Sequence, residues 1–143
     1  MSMNLRDYLG IPYVPGGQGR DGADCWGFFR LVQREVYGVD VPPVGIHPDD
    51  LRGLLAAFGA PDHPARAAWM QIDPDEAASG DGLLFARRAG HPDHVGIALG
   101  DGRVLHCARG IGSVAEPIGR LFSRQWRHVT AWRHVGASRG GAA

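Results

Sequence analysis

The chain has 143 residues, 44% of them hydrophobic, with fifteen acidic and fifteen basic side chains and no net charge. That length suits one domain around one core, and the charge balance excludes a global field that would draw nucleic acid or an anionic membrane. No apolar run reaches the length of a membrane span, so neither nucleic acid nor membrane insertion is expected. The N-terminal stretch Met1 to Tyr8 lacks the basic segment and apolar run of a secretory signal. The expectation is a protein made in a cytoplasm, where Cys25 and Cys107 would stay free thiols.

In chain order, Asn4 can cap a short helix over Leu5 to Leu9 that ends at Gly10. Ile11 to Asp24 is an irregular, glycine-rich approach whose one aromatic is Tyr13. Its glycines lack the Gly-Lys-Ser/Thr of a phosphate loop. Cys25, Phe28, Phe29, Val32 and Val36 then recur at three- and four-residue steps, which predicts a helix to about Tyr37 with Asp24 as N-cap and Gly38 as C-cap. Cys25 falls in the first turn, where unpaired N–H groups and the helix dipole favour an anion. A thiolate stabilised below the free-thiol pKa of ~8.5 is the expectation.

Val39 to Ile46 is a proline-interrupted connection. Asp49 or Asp50 can cap a second helix with Leu51, Leu54, Leu55 and Phe58 inward, stopped by Gly59 and Pro61, and 60–68 reads as loop. Trp69 to Ile72 reads as a strand, Ser79 to Gly82 as a turn, and Leu83 to Ala86 as a buried strand. His94 to Leu99 and Arg103 to Cys107 make a hairpin. Alternation puts His94, Gly96 and Ala98 on one face and Val95, Ile97 and Leu99 on the other, while Val104 and His106 oppose Leu105 and Cys107. A two-residue Asp101-Gly102 turn would bring Cys107 to the His94 face. The three-residue loop Gly100 to Gly102, which we favour, pairs Leu99 with Arg103, sets His106 opposite Gly96 and makes it diagonal to His94. Residues 108–118 read as loop, a short segment surrounds Leu121, Phe122 and Trp126, and His128 to Val135 reads as the last strand. Trp69, Trp126 and Trp132 are expected in the core, His128 and His134 on a strand face, and His47 and His63 in exposed loops.

A cysteine at a helix start, a histidine on a strand and a polar residue beside that histidine are the parts of covalent acyl-transfer catalysis. Cys25 would be the nucleophile, His94 the base, and His106 the group that holds its ring. A zinc site from His91, His94, His106 and Cys107 is a weaker reading, because adjacent His106 and Cys107 point to opposite faces of a strand.

The blocks Gly10-Ile11-Pro12-Tyr13, Gly16-Gly17, Asp24-Cys25-Trp26-Gly27, Gly80 to Phe85 and His94 to His106 resemble, in order and spacing, those of the NlpC-type cell-wall cysteine peptidases. The resemblance covers roughly residues 5–135. It implies a papain-like α+β fold, with the cysteine helix packed on an antiparallel sheet, as a single peptidase domain over 1–143 that ends in a frayed tail at 138–143. It implies hydrolysis of amide bonds in peptidoglycan stem peptides, often between D-glutamate and diaminopimelate, with no metal or other cofactor. By position, it makes Tyr13 an oxyanion donor together with the Cys25 N–H, and links Asp24 to the free amino end of the stem peptide. Trp26 stands where the commoner pattern has serine, a departure that bears on substrate specificity, and it is taken with Asp24 as a substrate-binding residue. The Asp-Cys-Trp-Gly form is similar to small phage-encoded members, which implies a virion tail location and tail-tip proteins as partners. A tail assembly protein that keeps the fold and cleaves little is the alternative.

Overall fold

The computed structural model describes residues 3–42, 53, 55 and 67–136. A single 3-10 turn at Leu5–Tyr8, capped by the Asn4 side chain, leads into the glycine-rich approach. That approach is more ordered than expected. It holds a two-stranded ribbon, β1 (Gln18–Gly19) with β2 (Gly22–Ala23), and a bridge between Tyr13 and Ala23. Helix α1 (Cys25–Val32) follows with Asp24 as its N-cap. Its predicted last turn, Gln33–Tyr37, widens into a π turn before Gly38 closes it at φ +69°. The wider turn lets buried Gln33 donate to the Gly80 carbonyl at 2.8 Å and Tyr37 meet Ser79 at 2.7 Å.

The remaining strands are β3 (Trp69–Ile72), β4 (Gly82–Ala86), β5 (His94–Ala98), β6 (Arg103–Ala108), β7 (Gly112–Pro117) and β8 (His128–His134). They form one antiparallel sheet in the order β3-β8-β4-β5-β6-β7. The α+β class and the cysteine helix on an antiparallel sheet are as predicted. On one face, Phe28, Phe29 and Val32 of α1 pack against Val95, Ile97, Leu105 and Trp132. Burying each phenylalanine contributes about 1.5–3 kcal/mol. On the other face, Leu83, Phe85, Val104 and Ala131 are closed by Leu121 of a short helix, α2 (Ile118–Ser123).

Residues 108–118, expected as loop, contain β7. Gly112-Ser113-Val114-Ala115-Glu116 is small and polar and lacks the apolar alternation that marks a strand, yet it pairs with β6 from Arg103↔Pro117 to Ala108↔Gly112. Leu55 is helical and fully buried, as expected of the second helix. Most of that helix, His47, His63 and the tail lie outside the described residues.

The hairpin takes the three-residue loop. Ile97 pairs with Leu105 and Ala98 with Val104, Leu99 N–H donates to the Arg103 carbonyl at 3.0 Å, and Gly102 sits at φ +85°. His106 consequently lies opposite Gly96. A Cβ at Gly96 would meet Val104 Cγ2 at 2.5 Å and His106 Cβ at 3.2 Å. Gly96→Ala should therefore cost about 1–3 kcal/mol through overpacking. The check is the urea midpoint, which should fall at unchanged m; a midpoint equal to wild type would show that the hairpin has room there.

Candidate active site

Asp24 builds the start of α1. Its Oδ1 accepts from the Gly27 N–H at 2.7 Å and its Oδ2 from the Gly16 N–H at 3.1 Å, so one carboxylate caps the helix and ties the approach loop to it. The loop can lie against the first turn because residue 27 is glycine; a Cβ there would strike the Gly17 carbonyl oxygen. Both oxygens of Asp24 are thus engaged in structural work.

Cys25 is 4% exposed. Burial, and next the Asp24 carboxylate, push its thiol up to about 12, while the N–H groups of Val95 and Trp26 pull it down. The expected low pKa is therefore reversed in the resting molecule. Desolvation of the charged form outweighs the favourable helix end.

Val95 follows His94, and this contact brings the sulfur to the start of β5. By alternation, the Val95 N–H points to the same edge as that of Leu99, towards β6. The β5–β6 pairing ends at Ile97↔Leu105, which leaves the Val95 N–H to the sulfur.

His94 and His106 lie on the sheet face opposite α1 and touch as the register predicts, with His94 Nε2 and His106 Nδ1 2.7 Å apart. His94 is 4% and His106 0% exposed. Beyond them the chain of contacts continues through residues that the sequence reading did not find. His106 Nε2 is 2.8 Å from Glu116 Oε2, and the same oxygen accepts from Arg124 Nη1 at 2.8 Å. Glu116 went unnoticed because its strand was read as loop, and Arg124 because nothing marks a surface arginine that ends a helix.

Trp126, expected in the core, is partly buried against the second apolar cluster and also stacks on the His94 ring, with centroids 4.3 Å apart and planes at 9°. Gln125, at φ +78°, turns the chain back after α2 to place it there. The indole donates to Asp93 Oδ1 at 2.8 Å, and the Arg87 guanidinium lies over its ring at 5.2 Å. Trp69 and Trp132 are buried as expected. Burial, the nearby His106 and Arg87 hold His94 well below the usual imidazole range. Burial also lowers His106, with Glu116 opposing and Arg124 assisting. Both shifts favour the neutral ring.

Tyr13 is half-buried, and burial followed by the charge of Cys25 raises its pKa, with Arg109 opposing from a position over its ring. Its hydroxyl stays a proton donor in the neighbourhood of the sulfur. Trp26, expected to face substrate, is a correction. It is 3% exposed, stacks on Phe29 at 5.3 Å and donates its indole N–H to the Pro42 carbonyl at 3.0 Å. An indole next to Cys25 on a buried helix face gains more from the core than from solvent. Cys107 is a second free, buried thiol. It lies on the α1 side, 3.3 Å from the Ala23 carbonyl oxygen and away from His106, so these neighbours do not share a ligand site.

A family model described as the NlpC/P60 family matches residues 10–132. The chain belongs to the NlpC/P60 family. It is 36% identical over 99 residues to protein P54 of Enterococcus faecium, covering 69% of this chain and 16% of that protein. It is 26% identical over 119 residues to the probable endopeptidase NlpC of Escherichia coli K12, covering 82% and 66%. Among solved structures, the NlpC/p60 domain of the peptidoglycan hydrolase SagA matches with a TM-score of 0.58 at 31% identity, covering 80% of this chain and 84% of that one. The chain spans only part of the length of the curated relatives it matches. Its fold is the papain-like fold of NlpC/P60 domains.

The Asp24 field on the thiol can be tested within this NlpC/P60 domain. Asp24→Asn keeps an oxygen for the Gly27 cap and removes a negative charge beside Cys25. Removing that charge favours the thiolate, so the Cys25 pKa should fall from about 12 while burial still holds it above the free-thiol value. Rates of iodoacetamide alkylation at Cys25 against pH, followed by peptide mapping, should show the midpoint moving down; an unmoved midpoint would remove Asp24 as a cause.

Proposed function

We propose that this NlpC/P60 domain is a cysteine endopeptidase that hydrolyses amide bonds in peptidoglycan stem peptides. The observation that carries the reading is the sulfur of Cys25 at the Val95 N–H, at the end of β5 where His94 leads into the buried His106. Relatives named as an endopeptidase and as a peptidoglycan hydrolase support the substrate class.

The resting groups are a neutral thiol and a neutral imidazole, so the proton moves as the bond forms. His94 takes the proton of Cys25 while the sulfur attacks the amide carbon. The oxyanion is held by the Cys25 N–H and the Tyr13 hydroxyl. His94 then gives its proton to the leaving amine, and water hydrolyses the thioester with His94 again acting as base. A stem-peptide amine at Asp24 neutralises the carboxylate that raises the thiol, so arrival of substrate itself eases ionisation. A carboxylate has acceptor sites beyond the two used by Gly16 and Gly27.

In this reading the protein acts as a phage or prophage tail component that opens the wall, consistent with the Asp24-Cys25-Trp26-Gly27 form. A second reading, a tail assembly protein of little activity, draws on the closed site: Cys25 and His94 are each 4% exposed. Purified protein incubated with muropeptides should release stem-peptide fragments, and Cys25→Ala should lower the rate by about 1000-fold or more. Identical products from both would end the peptidase reading. Particles carrying Cys25→Ala should assemble normally and fail at wall penetration, whereas failed assembly would favour the structural role.

A further inference from the structure

We propose that Glu116, anchored by Arg124, is a positioning residue that dictates which ring nitrogen of His94 carries the proton. The proposal rests on His94 serving as the base. The direction of the hydrogen bonds follows from the far end of the line. Two donors converge on one oxygen of Glu116: His106 Nε2 at 2.8 Å and Arg124 Nη1 at 2.8 Å. A carboxylate only accepts and a guanidinium only donates. His106 therefore carries a proton on Nε2, and in the neutral ring that burial favours, Nδ1 is left as a lone pair.

That lone pair faces His94 Nε2 at 2.7 Å, so His94 must donate, and its proton sits on Nε2. The free lone pair of His94 is then on Nδ1, the nitrogen left to receive the thiol proton. Without Glu116 the opposite polarity satisfies the same two rings equally well. His106 Nδ1–H would donate to His94 Nε2, and His94 would carry its proton on Nδ1, where it could not act as base. The 2.7 Å contact alone cannot choose between these states.

Other charged groups around the pair do not supply the choice. Asp93 accepts from the Trp126 indole and pairs with Arg87, and Arg87 lies over Trp126. Neither reaches a histidine nitrogen in the described contacts. The second oxygen of Glu116 is buried without a partner. Such an oxygen costs stability, which is out of keeping with a residue kept for packing alone.

The test is direct. Protein labelled with 15N-histidine, without substrate near pH 7.5, should show in two-bond 1H–15N spectra that both His94 and His106 are protonated on Nε2 and bare on Nδ1. In Glu116→Leu, His94 should become a mixture of tautomers, with kcat on muropeptides falling roughly tenfold to a hundredfold at unchanged KM. That is less than the upper end of the 10²- to 10⁴-fold, in round numbers, that acid–base catalysis supplies. Glu116→Gln keeps an amide oxygen for both donors, so the wild-type tautomer should persist. A wild-type His94 protonated on Nδ1 overturns the proposal even if no variant folds, as does an unchanged tautomer in folded Glu116→Leu. Because the spectra need no turnover, failure of the peptidase reading would show separately, in the fragments released by wild type and Cys25→Ala.

Discussion

Two imidazoles buried against each other at 2.7 Å take ring nitrogens out of water, and their mutual contact leaves His106 Nε2 in need of a partner. Much of the C-terminal half of the chain answers that demand. The edge strand β7 exists where His106 needs an acceptor, and it delivers Glu116. Glu116 in turn needs a cation, and Arg124 stands where α2 ends. The left-handed turn at Gln125 then reverses the chain so that Trp126 covers the His94 face, with its own N–H taken by Asp93. A purely apolar sheet face would require none of these residues.

The thiol obeys a different balance. A helix N-terminus favours a nearby anion by about 0.3–1 kcal/mol, rising to ~2 in partly buried geometry. The rise of Cys25 from 9.0 to about 12 corresponds to something on the order of 4 kcal/mol against the thiolate. Burial wins, and Asp24 adds to it even as it caps the helix. The same carboxylate that caps the helix of Cys25 thus adds to the burial that holds its thiol protonated at rest. In the peptidase we propose, activation belongs to the substrate-bound state, in which a charge can be cancelled at Asp24.

The parts legible in the sequence were those governed by short-range rules. Asp24 before an apolar helical pattern gave the cap, and Gly100 to Gly102 gave the hairpin loop. Alternation and register set His106 opposite Gly96 and diagonal to His94, within reach of it, and the structure closes that gap to a contact. Glu116 was not legible because its strand is held by pairing with β6 rather than by its own composition. Trp126 packs against a core as large aromatics most often do, but the left-handed turn at Gln125 that also lays it on a histidine is marked by no local pattern. Trp26 was misread: proximity to Cys25 along the chain suggested the substrate side, but the helix face decides where its side chain goes. The thiol pKa failed for want of one quantity, burial, which no local pattern carries.

Cys25 and His94, the proposed nucleophile and base, lie towards opposite faces of one sheet, and this division keeps their surroundings compatible. The α1 face is apolar, lined by Phe28, Phe29, Val95, Ile97 and Leu105, and a line of imidazoles and a carboxylate placed there would lack partners. The α2 face can host that line because its outer edge reaches Arg124 and water. The proposed reaction requires the two sides to meet at the start of β5. The β5–β6 ladder stops at Ile97↔Leu105. Gly96, with no Cβ, lets His106 lie close just where the pairing ends, and the freed Val95 N–H turns to the sulfur. Where this pairing stops, beside Gly96, adjacent residues of β5 meet the two sides: Val95 N–H the sulfur, and His94 the His106 line.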